Sequence, residues 1–369
     1  MPPPKRILVR GVNWLGDAVM STPALLRLRE AFPNAEITLA TLEKLAPLFL
    51  AHPAVNHILS LSSHEGLFTR SRRLNEVHAE VGLLLPNSFR SAAELFLAGV
   101  PRRVGYARQL RKLLVTDPVE ERSGRVLMHK RSDEEIRQRI KGSSGRERFS
   151  TAAHQLHEYL HLASALGANP ALIAPRLHLS ASEKTAACEK FGVAQGPWIG
   201  LNPGAEYGPA KRWPKERFIA TALGLSKRLP ASFLLTGSSA DIELAGQIEA
   251  ELKQHGINVL NLAGKTSLRE LCAVLSSCSV LLTNDTGPMH LASALGTRVV
   301  VPFGSTSHDL TGPGLPGTTD HACLFAEVPC APCFRKECPI DFRCMNSISI
   351  EAAIQAVTLM NQPATGAFH

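Results

Sequence analysis

The chain has 369 residues, of which 44% are hydrophobic and 20% charged. That is apolar material for two cores and too little charge for wholesale disorder. No run reaches the roughly 18 apolar residues of a spanning helix, and the start lacks a signal-peptide apolar region and cleavage site, so a soluble cytoplasmic protein is expected. The net charge of +8 is uneven: residues 101–150 hold fourteen Lys and Arg against seven Asp and Glu, a local excess of 14 − 7 = +7. This stretch is either a solvated loop or a surface for an anionic partner. Its few aromatics speak against base stacking, and nucleic acid is not expected.

In chain order, the first half opens with a strand over Arg6–Arg10, a turn and a helical stretch over Pro23–Ala31. Strands follow at Glu36–Ala40, Val55–Leu61 and Val81–Leu85. The segment Ser123–Ser150 mixes Gly, Ser and charge without an apolar period and is read as an insertion or mobile loop. The second half repeats the grammar, with strands at Trp198–Asn202, Ser232–Thr236, Asn258–Leu262, Val280–Thr283 and Arg298–Val301. Strands separated by helical patterns predict an α/β protein with parallel sheets and helices on both faces. The domains are expected at 1–180, with an insertion at about 122–150, and at 196–350, divided by the polar segment His178–Pro197. Whether the last helix, Ile350–Asn361 within a 351–369 tail, crosses back onto the first domain is open. Ligands are expected at the carboxyl ends of the strands, in the cleft between the domains.

The first turn, Gly11-Val-Asn-Trp-Leu-Gly16-Asp17, has P-loop glycine spacing, but Asp17 stands where a phosphate-binding Lys belongs. A carboxylate there repels phosphate, so ATP hydrolysis is rejected, and the absent GxGxxG fingerprint speaks against a nicotinamide enzyme. Asp17 is then either a helix-start carboxylate favoured by the macrodipole or, on a turn at the top of the first strand, a general base toward a substrate hydroxyl.

Three turns of the second half suit a nucleotide diphosphate. In Thr283-Asn-Asp285-Thr286-Gly287-Pro288-Met-His290, Pro288 fits the first helical position and Gly296 the residue past the end. That helix start offers free N–H groups to an anion, with Thr286, Gly287 and His290 close by; the bland alternative is a structural helix capped by Asp285. The loop from Pro203 to Pro214 holds Gly204 and brings Lys211 as a cation. After the strand ending at Thr236, Ser238 and Asp241 stand where a carboxylate commonly takes ribose hydroxyls.

Four motifs carry a family resemblance over nearly the whole chain: Trp14-Leu-Gly-Asp17, Leu85-Pro-Asn87-Ser88-Phe-Arg90-Ser91, Gly204-Ala-Glu-Tyr-Gly-Pro-Ala-Lys211-Arg-Trp-Pro214 and Asn284-Asp-Thr-Gly-Pro-Met-His290. The chain resembles glycosyltransferase family 9, the lipopolysaccharide heptosyltransferases, and within it the transferase II branch. The resemblance implies a GT-B fold, two Rossmann-like domains with parallel sheets facing a central cleft. It implies an inverting displacement that moves heptose from ADP-heptose onto the lipopolysaccharide inner core, at the inner face of the cytoplasmic membrane. Asp17 and Lys211 match the catalytic residues. Gly204, Ser238, Asp241, Asp285, Thr286, Gly287 and His290 fall in the donor region, and Asn87, Ser88 and Arg90 in the acceptor region. The long Ser123–Ser150 segment departs from the family pattern. No Asp-x-Asp metal motif is present, so catalysis is expected to need no cofactor. Competing readings are transferase I, another GT-B nucleotide-sugar enzyme such as an epimerase, or a non-catalytic basic membrane-surface module.

Cys330, Cys333, Cys338 and Cys344 form a C-x2-C-x4-C-x5-C cluster. It is read either as a structural zinc site or as reduced thiols in a packed loop.

Overall fold

The structure, a computed structural model, describes residues 2–106, 109–142, 145–193 and 196–362. The chain divides into two compact units: residues 1–125 with 152–178, and residues 126–151 with 179–369.

The first unit is built on a parallel sheet of β1 (Arg6–Arg10), β2 (Glu36–Leu42), β3 (His57–Leu61), β4 (Val81–Leu84), β5 (Arg102–Tyr106) and β6 (Asp117–Val119), in the order β3-β2-β1-β4-β5-β6. The second repeats that topology with β7 (Trp198–Asn202), β8 (Ser232–Leu235), β9 (Val259–Asn261), β10 (Cys278–Thr283), β11 (Arg298–Phe303) and β12 (Ala322–Phe325), ordered β12-β11-β10-β7-β8-β9. Both orders are those of the Rossmann fold, and two Rossmann-like units in one chain make the expected GT-B fold. The central strands are buried on both faces, which explains their unbroken apolar runs: Ile7, Leu8 and Val9 in one sheet and Val299, Val300 and Val301 in the other are fully buried.

The topology explains where the motifs lie. The strand order reverses between β1 and β4 in the first sheet and between β7 and β10 in the second, and loops at such points leave a crevice for ligands. Arg10 at the end of β1 lies opposite Leu84 of β4, and Asn202 of β7 lies opposite Thr283 of β10. All four motifs leave these four strand ends.

Two expectations about organisation need correction. First, residues 126–151 belong to the second unit rather than to the first domain. They are not wholly loop, because a helix runs over Asp133–Lys141, opened by a capping box in which Ser132 and Glu135 satisfy each other's backbone N–H groups. Its Ile136 is buried with Cys330 and Cys333. Second, most of the polar segment His178–Pro197 is no linker. Ser180 and Glu183 form another capping box, and the helix Ala181–Phe191 belongs to the second unit. The last helix, left open above, runs over Ile350–Met360 and belongs to the second unit. Ile354 and Val357 enter the second unit's core with Phe218, Leu225 and Val300. Residues 363–369 of the tail lie outside those described.

Three strands were not expected. Arg102–Tyr106 begins with two arginines, Asp117–Val119 is a three-residue edge strand holding Pro118, and Ala322–Phe325 closes the other sheet's edge. The last two are edge strands, which tolerate proline and need no apolar alternation, whereas the first is internal and its signal is masked by its two leading arginines.

Candidate active site

In the first unit, β1 passes through Gly11 into a short helix, Leu15–Met20, with Asp17 in its first turn. The macrodipole favours a carboxylate there, so the helix-start reading holds as local structure. Asp17 has more than a helix to serve, however. Its Oδ1 accepts hydrogen bonds from the Gln155 side-chain amide and from the Tyr159 hydroxyl, each at 2.8 Å. Gln155 also donates to the Tyr159 oxygen at 3.0 Å. Tyr159 is buried, and burial, followed by the charge of Asp17, pushes its phenol well above the usual range, so it stays a donor. Asp17 is thus a half-buried carboxylate held in one orientation by neutral donors from a distant part of the chain.

The turn that carries Asp17 is itself pinned. Glu94 is fully buried and accepts from Arg10 Nε at 2.8 Å and Arg70 Nη1 at 2.9 Å, while Arg10 Nη1 donates to the Gly11 carbonyl at 2.5 Å. A buried carboxylate shared by two buried guanidiniums is rigid, since removal of one partner strands a charge in low dielectric. Nearby, Asn87 accepts from Arg111 at 3.2 Å, and Arg90 donates to the Glu65 carbonyl at 2.7 Å. Ser88 caps the helix Phe89–Leu97 by accepting the Ser91 N–H at 3.1 Å. Asn87, Ser88 and Arg90 are exposed, and with Asp17 they stand at the carboxyl ends of β1 and β4.

In the second unit, Lys211 ends a 3-10 turn over Pro209–Lys211. Its Nζ lies 2.7 Å from Asp285 Oδ2 and 4.9 Å from the centre of the Tyr207 ring. Asp285 is buried, and the same Oδ2 accepts the Thr306 hydroxyl at 2.5 Å. The helix Gly287–Ala294 starts immediately after, with Thr286 rather than Asp285 as N-cap and Pro288 in its first turn; Gly296, with φ +87°, follows its end. Thr286 makes no side-chain cap bond, so the helix start is not closed by its own cap. His290 is buried on this helix. Asn284 ties the two loops together: its Oδ1 accepts the Trp213 N–H at 2.9 Å, and its Nδ2 donates to the Pro203 carbonyl at 2.7 Å. The lysine loop is therefore fixed to the strand end that opens the helix, so Lys211, paired with Asp285, and a helix start of the kind that takes anions both lie at the ends of β7 and β10.

At the end of β8, Ser238 and Asp241 are linked. Asp241 Oδ2 accepts the Ser238 N–H at 2.9 Å and its hydroxyl at 2.6 Å. Asp241 is buried beneath Gly204, where a Cβ would stand 2.5 Å from the carboxylate. Gly204 is thus required for close approach of two loops. Gly204→Ala should lower thermal stability by about 1–3 kcal/mol, as overpacked sites do, and weaken ADP binding at the same time. Thermal unfolding and calorimetry on one sample would check this; a variant unchanged in both would mean that the loops separate without cost.

The cysteine cluster lies in the second unit, with Cys330 and Cys333 packed against Ile136. Among the described residues, no three His, Cys, Asp or Glu side chains form a group that could hold a metal ion. Cys330, Cys333 and Cys344 are buried, and burial raises all three thiols, Cys344 to about 12. The loop does touch the lysine loop, for the Phe334 carbonyl accepts the Tyr207 hydroxyl at 2.9 Å and the Lys336 carbonyl accepts the Ala210 N–H at 3.0 Å.

Residues 68–342 match the model of glycosyltransferase family 9 (heptosyltransferase). The chain belongs to glycosyltransferase family 9. Lipopolysaccharide heptosyltransferase 2 of Escherichia coli (strain K12) is 33% identical over 316 residues, covering 84% of this chain and 85% of that relative. Lipooligosaccharide heptosyltransferase 2 of Campylobacter jejuni (serotype O:6) is 27% identical, with 97% of this chain and all of the relative covered. Among solved structures, E. coli ADP-heptose lps heptosyltransferase II superposes with a TM-score of 0.75 at 27% identity, over 96% of this chain and 98% of that one. The expected family membership, fold and enzyme class hold: this family 9 member is a glycosyltransferase. Asn284 was within a quoted motif but was given no role, whereas Gln155, Tyr159, Glu94 and Thr306 were not foreseen from sequence. Each acts through a partner remote in the chain, and no local pattern marks it.

Proposed function

We propose that this family 9 enzyme transfers L-glycero-D-manno-heptose from ADP-heptose to the heptose of a lipopolysaccharide inner core, inverting the anomeric carbon in a single displacement. The observation that carries the reading is the pairing of Lys211 with Asp285 beside an uncapped helix start, in a chain 33% identical to a lipopolysaccharide heptosyltransferase 2. In the step proposed, the acceptor hydroxyl gives its proton to Asp17 as its oxygen bonds to the heptose anomeric carbon. The bond from that carbon to the phosphate oxygen breaks, and ADP leaves with the electron pair. Lys211, the Gly287 N–H and the Thr286 hydroxyl stabilise the charge that develops on ADP. Ser238 and Asp241 are assigned the ribose, His290 a place beside the phosphates, and Asn87, Ser88 and Arg90 the acceptor sugar.

No helix among the described residues is long and apolar enough to cross a membrane. We place the enzyme at the inner face of the cytoplasmic membrane, supported by exposed Phe68, Leu110 and Leu113 and by exposed Arg72 and Lys112 in the first unit. Acceptor choice tests the reading. A truncated lipopolysaccharide ending in heptose should accept sugar, and one lacking heptose should not; the reverse preference would assign transferase I.

The cations of the basic segment are of two kinds, paired and exposed. Between residues 122 and 141, Arg122 and Arg125 pair with Glu158 and Arg131 and Arg139 with Glu147, whereas Lys130, Arg137 and Lys141 are exposed. Neutralising these three should raise the acceptor KM at low salt and leave the donor KM unchanged. The effect should fade as salt shortens the Debye length from about 10 Å at 0.1 M to about 3 Å at 1 M. An acceptor KM unchanged at low salt would make the segment's charge a matter of solubility alone.

A further inference from the structure

The segment 126–151 brings one side chain into the interior of the second unit. Arg146 is buried, at 5% exposure, and forms no ion pair among the described residues. Its guanidinium spends its N–H groups on main-chain carbonyls: Nη1 donates to Phe303 at 3.4 Å and Gly304 at 3.3 Å, and Nη2 to Thr306 at 2.5 Å. The remaining carbonyl, Ser305, accepts the Cys333 and Phe334 N–H groups at 3.0 and 2.7 Å. Four consecutive carbonyls at the end of β11 are thus gripped, three by one arginine and one by the cysteine loop.

The segment is itself anchored to that loop. The Arg131 and Glu147 N–H groups donate to the Cys333 and Ala331 carbonyls, and Arg139 Nε donates to the Pro329 carbonyl at 2.8 Å. An arginine that must desolvate a full charge without a carboxylate partner is costly to keep. What it holds is the backbone of Thr306, whose hydroxyl is bonded to Asp285 Oδ2, the atom that also binds Lys211.

We propose that Arg146 is a positioning residue for the donor diphosphate. By fixing the 303–306 backbone it aims the Thr306 hydroxyl at Asp285, and Asp285 in turn sets the place of Lys211. The inference rests on the donor-site reading above and extends it to a segment that departs from the family's pattern. Lysine has the charge but not the planar fork that reaches three carbonyls, so charge alone should not restore the function.

The test is ADP binding by calorimetry, with ADP itself as probe, on full-length wild type, Arg146→Ala, Arg146→Lys, Thr306→Val and the double variant Arg146→Ala/Thr306→Val. Each single variant should bind ADP about tenfold more weakly, and the double variant no more weakly than Arg146→Ala alone, because residues acting through one contact are not additive. Guanidinium ion added at low millimolar concentration should restore part of the affinity of Arg146→Ala and none of that of Thr306→Val. Removal of an exposed cation of the same segment, Arg137→Ala, should leave ADP affinity unchanged. Arg146→Lys covers the case in which Arg146→Ala fails to fold. If wild type binds ADP and Arg146→Lys binds it equally well, or if the double variant shows the product of the two single losses, Arg146 does not act through Thr306 and the inference falls. If wild type itself fails to bind ADP, the donor-site reading falls and takes the inference with it.

Discussion

Asp17→Asn should bind ADP as wild type does and lose about 10²–10⁴-fold in turnover, the usual contribution of a general base. The substitution is nearly isosteric. The asparagine oxygen can go on accepting from Gln155 and Tyr159, which both address one carboxylate oxygen at 2.8 Å. Geometry is thereby kept while the group that takes the proton is lost. Asp17→Ala is the harsher control, because it strands the buried Tyr159 hydroxyl and the Gln155 amide and should cost stability as well as rate. Steady-state rates with saturating donor, read beside thermal unfolding, separate the two effects. Turnover of Asp17→Asn within a few-fold of wild type would reduce Asp17 to the helix-start carboxylate that its place in the first turn also allows.

Lys211→Ala should weaken ADP binding by about 1.5–3 kcal/mol, the loss expected of a charge-assisted contact, and should slow transfer as well. The variant has a second consequence that a sequence-only view would miss. Asp285 is buried and would keep only the Thr306 hydroxyl of its two partners at Oδ2, so an uncompensated charge is left in the interior. A loss of thermal stability is therefore expected with the loss of affinity. Lys211→Ala/Asp285→Asn should recover stability without recovering ADP affinity, which separates the structural from the ligand-binding part of the lysine's work. Lys211→Arg should rescue only in part, because the planar guanidinium differs from an ammonium in reach and shape. Equal ADP affinity in Lys211→Ala and wild type would place the lysine outside the donor site.

What could be read from the sequence follows the range of each interaction. The central strands were legible because burial on both faces writes a continuous apolar run, and Trp198–Asn202 was placed to the residue. The loops leaving β1, β4, β7 and β10 were legible because glycine, proline and asparagine mark tight turns locally. The helix Asp133–Lys141 was within reach, since Ser132 and Glu135 have capping-box spacing, but the surrounding charge hid a period resting on Ile136 and Ile140. The supports of the site were beyond reach. Asp17 meets Tyr159 across 142 positions and Arg146 meets Thr306 across 160, and nothing in the local sequence at either end announces the other. Asp241 shows the intermediate case: its strand-end position was correct, whereas its use in holding Ser238 depends on Gly204 in another loop.

The central claim is heptose transfer with inversion, and product analysis tests it most directly. The enzyme, ADP-heptose and a lipopolysaccharide acceptor ending in heptose are incubated together, and the product is examined by mass spectrometry and NMR. The account predicts one added heptose per acceptor, one ADP released per heptose added, and an anomeric configuration opposite to that of the donor. ADP release without a heptosylated product, or a product that retains the donor's configuration, would contradict it.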